Sequence, residues 1–192
     1  MGKMSPRRWA VGLRQIAAPW TSLHAELHAG ELTGPFLAAV AGVPVKLPDQ
    51  PVEWGEVGLW WARVDTRVNV DRIISGPTPG PLLPRGLYKT IEVWTDADLS
   101  AIHALWWLSR RYSRADWMQR VAEVRDWHVE NTQPDHATSR PWALHVFLLA
   151  GTPECESYAE TLLHNCLAMS GRPDALSAWI LIDASRAIVT SR

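Results

Sequence analysis

Cysteine is scarce: the 192 residues hold two, and geometry keeps them apart. Cys155 and Cys166 fall 11 residues apart on one expected helix. At about 1.5 Å per residue their backbones are separated by roughly 16 Å, beyond the roughly 7 Å that a disulfide spans. Two thiols that cannot join point to a reducing, cytoplasmic compartment. Neither has a Cys or His partner at zinc-finger spacing, so both read as small buried hydrophobes. Charge of one sign is missing too. The formal net charge is -1, and basic residues gather only as Lys3, Arg7, Arg8 and Arg14, so the electrostatic footprint of a nucleic-acid binder is absent. Long apolar runs are also lacking. Outside the expected helices the longest, from Phe36 to Val45, has 10 residues, too few to cross a bilayer. Trp9 to Leu13 follows a basic start as in a signal peptide, but Arg14 and Gln15 interrupt it at once, and no export signal is read. There is no Gly-rich phosphate loop, Gly-x-Ser-x-Gly elbow or Cys/His cage. Nucleotide-dependent and serine-hydrolase chemistry is thereby disfavoured, and no cofactor is implied.

What is present is a chain 47% hydrophobic and 20% charged, enough for one globular domain with a sizeable core. Its richest stretch runs from Thr95 to Met169. Thr95-Asp96-Ala97-Asp98 has the form of a capping box, and the apolar residues from Leu99 to Leu108 suggest a helix covered on most sides, with His103 the polar exception. Ser113 to Asp116 repeats the capping logic. In the helix that follows, Trp117, Val121, Val124 and His128 share one face. Pro134 ends that helix, and 131–139 reads as a polar loop.

A second pair of helices echoes the first. Ser100-Ala101-Ile102-His103-Ala104-Leu105 aligns with Trp142-Ala143-Leu144-His145-Val146-Phe147 at an offset of 42, and the following helices align at 41. A further copy is suggested near Leu176 to Trp179. Two helices per period with short polar turns is the pattern of stacked helical hairpins. The fold class expected is therefore mainly α: tandem α/α hairpins in an open arc or bundle, carrying a small β and Pro/Gly-rich insertion. Residues 1–50 supply N-terminal helices, and 51–94 a two-strand element, alternating over 62–70 and extended over 87–94, around the Pro/Gly-rich linker 76–86. Residues 95–192 supply the hairpins, all within one domain. The hairpin pattern resembles pieces of α/α toroids such as terpenoid cyclases and polysaccharide lyases. The likeness covers about half the chain and concerns architecture, not activity.

Tryptophan is abundant, with 12 residues. Trp106, Trp117 and Trp127 sit among apolar helical neighbours and read as packing. Trp60, Trp61 and Trp142 lie near turns and are candidates to stack on a ligand. His24 and His28, at i and i+4, have the spacing that grips a metal, yet no third ligand is specified and surface histidines are the plainer reading. His103 and His145 take matching places in the repeat, as buried hydrogen-bonded histidines or as a ligand-binding pair. The densest polar cluster holds Asp126, His128, Glu130, Asp135 and His136. Asp126, Glu130 and His136 have the residue types that general acid/base chemistry on a sugar uses, and also those of any solvated helix end.

Two functions follow. The first is a helical-repeat scaffold binding a protein partner, or a second copy of itself, through an aromatic-rich surface. The alternative is an α/α domain that binds or processes a saccharide in a Trp/His/carboxylate-lined groove.

Overall fold

The computed structural model describes residues 5–21, 33–74, 76, 78–132, 138–168 and 171–191. Its regular structure among these is entirely helical. The α-helices are α1 (Pro6–Ala17), α2 (Thr33–Ala41), α3 (Gly55–Ala62), α4 (Val70–Ile73), α5 (Ile91–Arg111), α6 (Ala115–Asn131), α7 (Leu144–Ala150), α8 (Pro153–Ala168) and α9 (Ala175–Thr190). One hydrophobic core draws on all nine, from Trp9 to Ile188. No described helix is long and apolar enough to cross a membrane.

The central element is α5, buried on nearly every side from Trp94 to Ser109. It packs against α3 and α6, and it meets α6 through the turn 112–114, where Ser113 takes a left-handed φ of 54°. The helix begins earlier than the capping box suggests. Thr90 is the N-cap, its hydroxyl accepting the Val93 N–H at 3.3 Å, while Thr95 lies inside the helix and donates to the Ile91 carbonyl at 2.8 Å. Asp98 turns away from the helix end because better donors await it elsewhere: its carboxylate accepts the backbone N–H groups of Leu82 (3.3 Å) and Leu83 (2.6 Å).

That contact fastens part of the Pro/Gly-rich stretch onto α5, with Leu82 and Leu83 fully buried. The expected two-strand element is replaced. Over 62–70 the alternation yields turns, because Asp65 accepts the N–H and side chain of Arg67, and Asn69 caps α4 by accepting the Arg72 N–H. Over 87–94 the Thr90 cap diverts the chain into α5. Short polar side chains bonded to nearby backbone out-compete a strand that has no partner.

The two histidines of the repeat do not take equivalent places. His103 lies midway along the 21-residue α5, whereas His145 is the second residue of the 7-residue α7. Left-handed Ala143 and Gly151 bound α7 at its two ends and keep it short. At the other end of the sequence α1 packs chiefly on α9. Ser185 Oγ there donates to the Ala10 carbonyl at 2.9 Å. Both cysteines are unbridged and buried, as expected, and burial pushes the Cys166 thiol up to about 12.

Candidate functional site

A cleft of about 370 Å³ opens where the start of α5 meets α3 and residues 139–140. Gly55 precedes Glu56 of the cleft. Its φ of +56° suits glycine, and it leaves room for the Tyr88 hydroxyl, which a Cβ there would meet at 3.0 Å. The Tyr88 O–H donates to Glu56 Oε2 at 2.5 Å, and burial together with this contact raises the phenol well above its ordinary pKa. Glu92 stands in the first turn of α5, where the helix dipole favours an anion. Its own backbone N–H and the Thr90 hydroxyl hold it below the usual carboxylate range.

Asp96 is the most perturbed acid of the cleft. Burial pushes its carboxyl up to about 6, against the pull of Arg140, 4.0 Å away, and of the Trp142 indole. Neither Asp96 Oδ1 nor Trp142 Nε1 makes a hydrogen bond of normal geometry with a described residue. Ser100, at the base, accepts the Trp60 indole N–H at 2.9 Å. Three carboxylates against one guanidinium make the cleft acidic at neutral pH. Val93 (54% exposed) is part of its lining, Ile91 (44%) is exposed next to Glu92 in the chain, and Trp54 (52%) and Leu87 (61%) line a second pocket of about 310 Å³ with Gly55.

Behind the cleft lies the meeting place of Trp60, Trp142, His103 and His145. Trp60 and Trp142 lie 5.6 Å apart, each with an edge to Phe36, and His103 lies 5.5 and 5.7 Å from them. All four are fully buried, so no ring offers a free face to a ligand. His103 Nδ1 accepts the N–H of Ala143 at 3.2 Å. The other nitrogen must therefore carry the proton, and Nε2–H donates to Asp183 Oδ2 at 3.1 Å. Asp183 also receives Arg63 at 3.2 Å, and the Arg63 guanidinium lies 5.1 Å from the ring centroids of Trp60 and of Trp107. His145 packs 4.3 Å from His103, with neither ring nitrogen hydrogen-bonded.

Burial lowers the pKa of His103, against Asp183, and holds His145 well below its ordinary value. Below about pH 6.5 the unfolded chain takes up protons that these folded imidazoles bind less readily, so both lower stability as pH falls. Asp96 acts oppositely. Its carboxyl titrates at about 6 in the folded chain, so between roughly pH 4 and 6 the folded state holds the extra proton. As pH falls from 6 to 5 the two histidines lower stability and Asp96 opposes them, so the expected loss is steeper in Asp96→Asn than in the parent protein. Urea denaturation across this range measures both slopes, and flat profiles in the two proteins would contradict neutral buried imidazoles.

The other expected site residues scatter. His128 is fully buried, and Nε2 bonds Asp98 Oδ2 at 2.7 Å. Its Nδ1 bonds Thr132 Oγ1 at 3.0 Å, and that hydroxyl in turn meets the Tyr158 hydroxyl at 2.7 Å. Asp126 points into solvent, paired with Arg125 at 2.7 Å, and Glu130 is exposed nearby. Trp61 is half-buried against the core. His24, His28, Asp135 and His136 lie outside the described residues. Among the described residues no three His, Cys, Asp or Glu side chains gather to hold a metal. Sequence reasoning missed Glu56, Asp96 as a cleft acid, and the buried acids Asp98 and Asp183. Asp183 carried a signal: it stands inside an almost wholly apolar helical run, and a buried acid there needs a partner. Comparison with family models, curated proteins and solved structures finds no match for the chain.

Proposed function

We propose that the protein is a helical scaffold that docks a partner chain at the cleft before α5, with the hairpins α5–α6 and α7–α8 as its frame. One observation carries this reading: a pocket holding Glu56, Glu92 and Asp96 is also lined by the exposed Val93, and the exposed Trp54 and Leu87 line a second pocket with Gly55, the residue that precedes Glu56. The exposed apolar side chains give area to bury, and the acidic cleft selects a lysine or arginine. The partner segment is thus apolar residues around one cation. Selecting a random displayed peptide library on the full chain tests it. The expected sequences combine a basic residue with aliphatic or aromatic neighbours, and Trp54→Ala should weaken them about tenfold or more. Peptides lacking the basic residue, or unaffected by Trp54→Ala, would sink the proposal.

The saccharide reading keeps one supporting observation. Asp96, with its carboxyl near pH 6 beside Glu56 and Glu92, has the protonation behaviour of an acid for a glycosidic oxygen. In that case the exposed Trp54 supplies the stacking face. Quenching of tryptophan fluorescence by neutral oligosaccharides, abolished in Asp96→Asn, would favour it over the peptide partner.

A further inference from the structure

We infer that the chain seated in the acidic cleft is a second copy of this protein, presenting the groove between α1 and α9. The inference rests on the docking role proposed above and names its partner. The groove has a volume of about 400 Å³, close to that of the cleft, and its walls include Arg7, Ala10, Val11, Arg14 and Val189. Val11 and Val189 are each 53% exposed, although both lie on helices that otherwise pack closely together. Arg7, Arg8 and Arg14 are exposed on α1, a helix with no acidic residue along its length. None of the three forms an ion pair with a described residue.

The two surfaces complement each other in both respects that govern docking. The cleft is lined by the carboxylates Glu56, Glu92 and Asp96 with the exposed Val93 among them. The groove has apolar side chains at its centre and guanidiniums on its walls. Arg7 and Arg14 lie two turns apart on one side of α1, so they can reach an acidic pocket while Val11, about one turn from each, meets Val93. The two surfaces share no residue, so one copy can engage a neighbour at each. The contact is heterologous, head to tail, and propagates until the rotation between copies closes a ring.

Light scattering and sedimentation on the full chain supply the test. The expected result is a mass that rises with concentration above the 21.5 kDa of the single chain. Salt raised to roughly 0.5 M should oppose it, since exposed charges then screen one another. Arg14→Glu or Glu92→Arg alone is expected to weaken association about tenfold or more. Carrying both reversals in one chain, or mixing the two single variants, should restore it, because every charge pair then has opposite signs again. A wild-type chain that stays a single copy at all concentrations overturns the inference, as does a double variant no better than the singles. If basic apolar peptides still bind the cleft of a non-associating chain, docking stands and only the identity of the partner falls. Loss of both peptide binding and association removes the two together.

Discussion

Replacing Asp183 by alanine is expected to cost about 3–5 kcal/mol, enough to threaten folding altogether. The carboxylate is almost completely buried and serves two donors at once, Arg63 at 3.2 Å and His103 Nε2 at 3.1 Å. Its removal leaves a guanidinium enclosed among the Trp60 and Trp107 rings with no counter-charge. Burial already lowers the pKa of Arg63, so the cation has little reserve against losing its partner. The orphaned imidazole N–H adds a further unsatisfied donor. The control is the double variant Arg63→Met with Asp183→Leu, which removes both charges and should recover most of the loss. Urea denaturation of the three proteins decides it: a single-variant loss below about 1 kcal/mol would show that water reaches the pair.

The second large effect is expected at Trp60. Truncation to alanine removes a fully buried indole that touches Phe36, Trp142 and His103, and it also strips Ser100 of its donor. A loss of about 3–5 kcal/mol follows from the lost transfer energy and the cavity left behind. Trp60→Phe refills most of the space and should cost less than half as much. Thermal unfolding followed by circular dichroism compares them. If Trp60→Ala unfolded like the parent protein, the ring would not be a core member, and a ligand-stacking role would deserve revival.

The helices were legible in the sequence where apolar spacing was regular, as in α6, although Ser113 does not cap it: the N-cap is Arg114, with no side-chain bond. They were less so where a local cap competed with a distant partner. Asp98 has every feature of a capping-box acid, yet its carboxylate closes a contact with Leu82 and Leu83, which no window around residue 98 contains. The alternation over 62–70 misled for a related reason, since period-two patterning counts only when a second strand is available to pair. Burial of Trp60 and Trp142 was the hardest to read. A tryptophan beside a turn looks the same in sequence whether the chain behind it opens to solvent or folds over it. The cleft acids Glu56 and Asp96 come together from helices 40 residues apart, a juxtaposition set by α3 packing on α5 and not by any motif.

The pairing of α1 with α9 has a consequence for the order in which the protein is made. Ser185 and Ala10 are separated by 175 residues, so at roughly 5–20 residues per second the ribosome takes on the order of 10–35 s to deliver the helix that covers α1. Throughout that interval the apolar side of the nascent helix, with Trp9 and Leu13, has no native cover from its main partner. Chaperone engagement in the cell should therefore concentrate on chains stalled before α9 is complete, and ribosome-bound intermediates of increasing length would reveal α1 becoming protected only with the last helix.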